Sequence, residues 1–208
     1  ASTAVRIIPD ERYTNAICSE LEFRAHRLDR AERIVHSIYF GGGTPSLWQP
    51  SSVSRVLSSI AKRFRVSSLC EITLEANPDA SDAARFGELR SAGVNRLSIG
   101  MQSFSPAILH KLGRAHDRDA AIHAFEAARR AGFENVSLDL IYGVHGQTME
   151  QVIDDSNVAV SLNPDHVSAY ALTLDRPSLA QEVPLARQLL RGEVTLPHDE
   201  LVLAMQRA

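Results

Sequence analysis

Cysteine is scarce: Cys18 and Cys70 are the only two in 208 residues. They are too few and too far apart for a disulfide framework or a metal knuckle, and their apolar surroundings predict buried free thiols. No run of Lys or Arg exceeds a pair and the formal net charge is -3, which argues against a surface for nucleic acid or anionic lipid. No apolar run approaches a membrane span. The opening ASTAVRIIPDER lacks the basic start, apolar centre and small-residue cleavage site of a signal peptide, so a cytoplasmic protein is expected. Aromatic residues are few, at 6%, but 44% hydrophobic residues still allow a substantial core within one domain.

Against these absences stands one concentrated feature, the stretch Ile34 to Leu47, IVHSIYFGGGTPSL. An apolar run with β character ends in three glycines. Each of them loses more conformational freedom on ordering than any other residue, so a site that needs bare backbone is indicated. At the end of a buried strand that need is usually the approach of main-chain groups to a ligand; a plain tight turn is the simpler alternative.

The remaining pattern alternates helix and strand. Asp10 is placed to cap a helix carrying Tyr13, Ile17, Leu21 and Leu28 on one stripe, with a charged segment from Asp29 to Arg33 after it. After the glycine loop, Ser51 or Ser52 starts a helix with Val53, Val56, Leu57, Ile60 and Phe64 at helical spacing. A strand over Glu71 to Ala76 is stopped by Asn77 and Pro78, and a helix from about Ser81 to Ala92 is ended by Gly93. A strand over Val94 to Met101 leads to Ser105 and Pro106, which open a short helix. Asp117 caps the next helix, closed by Gly132; a strand follows over Val136 to Tyr142. Thr148 and Gln151 have capping-box spacing for a helix to Leu162, and a last strand covers Val167 to Leu172. Beyond Asp175, with prolines at 177, 184 and 197, the pattern weakens.

Repeated βα units imply a parallel sheet, doubly wound or barrel-like. Strand parity chooses between them. Glu71, Thr73 and Glu75 oppose Ile72, Leu74 and Ala76; Arg96, Ser98, Gly100 and Gln102 oppose Leu97, Ile99 and Met101; Ser137 and Asp139 oppose Leu138 and Leu140. A sheet covered by helices on both faces reads as continuous apolar runs. One polar face instead predicts an open, incomplete (β/α) barrel of TIM type, an α/β fold with helices outside and a polar lumen.

Ligands of parallel βα folds bind at the C-terminal strand ends. Those ends carry Gly41, Gly42, Gly43 and Thr44, then Glu75, Gln102 and Asp139, then the Tyr170 to Thr173 end, with Arg114 in a following loop. Two carboxylates, an amide, a guanidinium and bare backbone suit a ligand with a cationic amine, a carboxylate and a ribose diol.

The segments YFGGGTPS at 39–46, EITLEANPD at 71–79, GVNRLSIGMQSF at 93–104, LGRAHD at 112–117 and DLIYGVHGQT at 139–148 resemble the radical S-adenosylmethionine enzymes of the oxygen-independent coproporphyrinogen III oxidase group. The LGRAH spelling and the later SAYALTLDRP and PLARQLLRGE are similar to that group's haem-chaperone branch. The resemblance covers roughly Ile34 to Glu200. It implies that Gly42, Gly43 and Thr44 meet the amino group and backbone side of S-adenosylmethionine, and that Glu75, Gln102, Arg114 and Asp139 contact the same cofactor. It also implies reductive sulfonium cleavage by a [4Fe-4S] cluster and, for the chaperone branch, binding of haem or porphyrin and its transfer to an acceptor protein.

The family's CxxxCxxC cluster loop would precede Ala1. Cys18 and Cys70 cannot replace it, because three thiolates must converge on one cluster. The expectation is therefore a fragment, a three-quarter barrel without its first strand over residues 1–175 and the truncated start of a C-terminal region over 176–208, with no cluster ligands and no activity alone. His145 stands where the family usually has proline. Among the histidines, His116 and His145 lie in site-facing loops and are the candidates for a haem ligand; His36, His110, His123, His166 and His198 share no spacing. Three rival readings are a true oxidase, a non-catalytic haem-binding module, and a sugar-phosphate barrel enzyme. The last would want Lys or Arg beside the glycine loop, where Ser46, Leu47 and Trp48 stand.

Overall fold

The computed structural model describes residues 9–27, 33–174 and 183–208. Five strands form one sheet in sequence order: β1 Ile34–Phe40, β2 Arg65–Ala76, β3 Arg96–Gln102, β4 Asn135–Tyr142 and β5 His166–Ala171. Every neighbouring pair is parallel. The helices are α1 Asp10–Ala25, α2 Pro50–Arg63, α3 Ala80–Ala83, α4 Phe86–Ser91, α5 Pro106–Lys111, α6 Arg118–Arg130, α7 Met149–Ser161, α8 Pro184–Leu190 and α9 Asp199–Gln206. This is the expected incomplete (β/α) barrel. Leu28 of the expected α1 stripe, the charged stretch 29–32 and residues 175–182 lie outside the described residues.

Parity assigns the two faces correctly. Leu74, Leu97, Ile99, Met101, Val136 and Leu138 are fully buried in one core with Val53, Phe86, Leu89 and Ala128 from the helices. The lumen face is polar yet also buried at Thr73, Ser98 and Ser137. Its groups satisfy one another: Arg96 donates to Asn135 Oδ1 at 3.2 Å and Thr73 Oγ1 at 3.3 Å, Thr73 donates to Glu71 at 3.0 Å, and Ser137 Oγ lies 2.8 Å from His166 Nδ1.

Two strand starts are built with the same kind of joint. Ile72 N–H donates to Asn95 Oδ1 at 2.7 Å while Asn95 N–H returns to Ile72 O at 3.0 Å. Val136 N–H likewise donates to Asp165 Oδ2 at 2.9 Å and Asp165 N–H returns to Val136 O at 3.1 Å. Each joint satisfies a donor and an acceptor that the strand ladder leaves open, and so sets the register of the following strand.

Several boundaries differ from the sequence reading. Asp10 opens α1 but does not cap it; its Oδ1 accepts the Gln49 N–H at 2.9 Å, tying α1 to the start of α2. Tyr13 on the expected apolar stripe is exposed, while Ile17 and Leu21 pack on the core. Helix α2 starts at Pro50, whose missing N–H costs nothing in the first turn, and not at a serine. β2 begins six residues early, at Arg65. The helix expected from Ser81 to Ala92 is two, because Asp82 and Arg85 are drawn toward the glycine loop at the break between α3 and α4. Ser105 holds the cap position without making a cap bond; its hydroxyl accepts from Gln151 Nε2 at 3.2 Å. The Asp117 cap and the Thr148–Gln151 capping box form as expected. Both cysteines are free, Cys70 buried and Cys18 only half-buried. No described helix is long and apolar enough to cross a membrane.

After 182 the chain lays α8 over the C-terminal ends of the later strands, where Leu185 packs with Ile108, Ile141 and Val144 in a second, smaller core.

Candidate functional site

The glycine loop is built around one carboxylate. Glu75, at the end of β2, accepts the Tyr39 hydroxyl on Oε1 and the Gly42 N–H on Oε2, both at 2.9 Å. A Cβ at Gly41 would stand 2.6 Å from the Tyr39 ring and 2.9 Å from Glu75 Oε1, so only glycine fits there. Gly42 and Gly43 adopt φ of 86° and 73° with nothing within 4 Å of the Cβ position. Left-handed backbone facing open space is a cradle that glycine permits and a side chain would fill.

The opposite wall comes from β3 and β4. Their register shifts between Ile99 and Gln102, and Gln102 ends β3 at φ 65°. Such a bulge re-aims a side chain at a strand end. Gln102 Oε1 accepts the Tyr170 hydroxyl at 3.4 Å, a long bond, and a Cβ at Gly100 would meet Gln102 Nε2 at 2.5 Å. Ser98 donates to the Asp139 carboxylate at 2.9 Å. Arg114 stands at the mouth, and its guanidinium makes no hydrogen bond among the described residues.

These walls enclose a polar cavity of about 190 Å³. Of the seven residues expected at the site, Gly43, Thr44, Glu75, Gln102, Arg114 and Asp139 line it, and Gly42 joins through its N–H to Glu75. Ser98, Gly100, Asn77 and Tyr170 line it too, and Tyr39 supports it from β1. Ser98, Gly100 and Tyr39 were findable by parity, since Ser98 and Gly100 share the Gln102 face and Tyr39 shares a face with Gly41.

Burial sets the electrostatics. It raises Asp139, with Glu75 nearby adding to the effect and the Ser98 bond opposing it. Burial, then the bond and charge of Glu75, push Tyr39 up to about 12. Tyr170 is raised by burial and by Asp139, while desolvation lowers Arg114. Two carboxyl groups thus line the interior and a guanidinium its rim.

The donor set fits S-adenosylmethionine: carboxylates for a cationic ligand, a guanidinium for a carboxylate, and open backbone. An iron–sulfur cluster does not fit. Among the described residues no group of three His, Cys, Asp or Glu side chains could hold a metal ion, and Cys18 and Cys70 lie on α1 and in the middle of β2. Neither histidine candidate for haem lines this cavity. His116 Nε2 lies 3.0 Å from Met101 O and His145 Nδ1 lies 2.6 Å from Thr195 O. His198 caps α9.

Comparison with known proteins agrees with this geometry. Heme chaperone HemW of Mycobacterium tuberculosis is 36% identical over 195 residues, covering 94% of this chain and 48% of the relative. HemW of Haemophilus influenzae is 39% identical over 170 residues, covering 81% and 44%. The solved structure of Escherichia coli coproporphyrinogen III oxidase, HemN, described as a radical SAM enzyme, superposes with a TM-score of 0.78 at 27% identity, over 95% of this chain and 44% of that one. The chain spans about half the length of the curated relatives it matches. The family description "Radical SAM superfamily" matches residues 19–158, and with the glycine loop, Glu75 and the parallel half-barrel in place, the chain belongs to that superfamily.

Proposed function

We propose that this chain is the cofactor-binding part of a haem chaperone, a cytoplasmic protein that binds haem and passes it to an acceptor protein. The single observation that carries the reading is one glycine-walled, carboxyl-bearing cavity lined by six of the seven expected residues, with Gly42 joined to it through Glu75, in a chain whose relatives at 36% and 39% identity are named heme chaperones. Glu75 and the Gly42–Gly43 backbone would hold the amino and ribose groups of S-adenosylmethionine, Arg114 its carboxylate, and Gln102 and Asp139 its remaining polar and cationic parts. Bound there, S-adenosylmethionine would supply a sulfonium open to reductive cleavage, while none of the described residues would hold a [4Fe-4S] cluster. What the chain's own residues do is neutralise positive charge, orient the ligand through fixed acceptors and shield it on the lumen side. In this reading the described residues up to 174 form the barrel part and those from 183 belong to a second region.

Titration of the chain with S-adenosylmethionine and, separately, with haem tests it. Amide shifts at Gly42 and Gly43 with the first, and a Soret change with the second followed by transfer to an apo-globin, are the expected results. Haem that does not bind would remove the chaperone reading. The HemN superposition favours a second reading, an oxidase that decarboxylates two propionates of coproporphyrinogen III. Turnover of that substrate by the full-length parent protein would favour it.

A further inference from the structure

Two buried aspartates take no part in lining the cavity, yet Asp82 holds the backbone of Asn77, which does, and Asp155 holds the two residues that follow the lining residue Gln102. Asp82, on α3, is fully buried. Its Oδ2 accepts the Ser46 hydroxyl, two residues after Thr44, and the Asn77 N–H at 2.9 Å, two residues after Glu75. Arg85 completes the hold by donating to Ser46 O at 2.9 Å and Trp48 O at 2.8 Å. The glycine loop and the end of β2 are thereby bound to one carboxylate.

Asp155, on α7, does the same across the cavity. It is 4% exposed and accepts the Ser103 hydroxyl on Oδ2 and the Phe104 N–H on Oδ1, both at 2.6 Å. Those two residues follow Gln102 directly, where the backbone has just passed through φ 65°. A non-glycine residue in that region persists only where its surroundings over-determine it.

Neither carboxylate is an economical choice for folding alone. Burial raises the pKa of both, against the opposing hydrogen bonds. Asp82 Oδ1 is buried with no hydrogen-bond partner among the described residues. Burying such a group costs free energy that an apolar side chain of similar size would avoid. What the carboxylates contribute is position, because a charged acceptor holds an N–H and a hydroxyl more firmly than a neutral one.

We propose that Asp82 and Asp155 are the positioning residues of the cofactor site, Asp82 fixing the glycine loop against the end of β2 and Asp155 fixing the turn that aims Gln102. The proposal rests on the S-adenosylmethionine reading of the cavity. It assigns each wall its own brace, carried on a helix outside the barrel and reaching the site through a serine.

The test is an amide-shift titration of the full 208-residue chain with S-adenosylmethionine, in wild type and in Ser46→Ala and Ser103→Ala, with thermal melts alongside. Each substitution removes one arm of a brace and leaves the carboxylate its backbone N–H. Each is expected to weaken binding about tenfold, the scale of one lost charge-assisted hydrogen bond, while the folded chain's melting cooperativity is kept. Asp82→Asn, which keeps an acceptor oxygen, is expected to retain more affinity than Asp82→Ala. Lowered melting temperatures with unchanged affinity in the folded protein would reduce both residues to ordinary stabilising groups and overturn the proposal. Wild-type chain that shows no shift at Gly42 and Gly43 would overturn the cofactor reading itself, and the proposal with it; the wild-type arm separates the two failures.

Discussion

Arg96 and Arg114 occupy the two ends of the same lumen and live under opposite rules. Arg96, at the floor, is engaged by Asn135, Thr73 and, at 3.9 Å, Glu71. The Arg114 guanidinium, at the mouth, makes no hydrogen bond among the described residues, although desolvation lowers its pKa. The same contrast holds around them. At the floor, Glu71, Thr73, Ser137 and His166 close on one another. At the mouth, Gln102 has one long bond and the glycine backbone faces open space. A polar group whose partners come from the protein supports the fold; one left with spare capacity beside a cavity is placed for something else.

The comparison breaks most visibly at Arg96. Arg96→Ala strips Asn135 and Thr73 of a half-buried donor and Glu71 of a nearby cation, and is expected to destabilise the chain by about 2 kcal/mol, read by urea unfolding. Affinity for S-adenosylmethionine in the folded protein should be unchanged. Arg114→Met should do the reverse. Stability holds, since no bond is lost, while binding weakens roughly tenfold from the missing pair with the ligand carboxylate. Equal effects of the two substitutions on stability would erase the distinction between floor and mouth. Gly43→Ala sits between them. A side chain at φ 73° costs roughly 1 kcal/mol of folding stability, and its methyl would intrude on the cradle, so both readouts should move modestly.

Strand existence, the barrel class and the nearness of the candidate site residues to one another were legible because each follows from a local rule. Alternation of polar and apolar residues in Glu71 to Ala76 and Arg96 to Met101 fixed the two faces, and strand ends place Glu75, Gln102 and Asp139 together in any parallel βα fold. The misses share a cause as well. Asp10, Asp82 and Ser105 carry side chains that a sequence rule assigns to helix starts or leaves unassigned, and each is used instead by a partner 36 to 46 residues away, Gln49, Ser46 or Gln151. Propensity describes the nearest turn, whereas a buried carboxylate goes to whichever donor the fold brings to it. The bulge at Gln102 was unreadable for the same reason, since it comes from the β3–β4 register and the Asp155 brace, both set by other segments.

The smallest expected effect is also the one that separates the two ends by sign. Asp139, at the mouth, has its pKa raised by burial and by Glu75, against the Ser98 bond. The folded state therefore holds the proton more tightly than the unfolded chain, and between the ordinary carboxylate pKa and the raised one stability falls as pH rises. Asp165, at the strand-start joint of the floor, is the opposite case. Burial acts upward on it but is outweighed by the Val136 N–H bond and by Arg129 at 2.9 Å, leaving its pKa lowered. Its contribution is present above the ordinary carboxylate pKa and is lost as pH falls through the lowered one. Asp139→Asn should therefore flatten the fall in stability above the ordinary range, and Asp165→Asn should flatten the loss below it, each measured by urea unfolding across roughly pH 2 to 7, spanning the carboxylate range. Asp165 is largely exposed, so its effect is small and screened by salt, and its slope should shrink in high salt while that of Asp139 persists. Matching slopes in the two variants would mean that both carboxylates answer to the same surroundings, and the division of the lumen into a closed floor and an open mouth would fail.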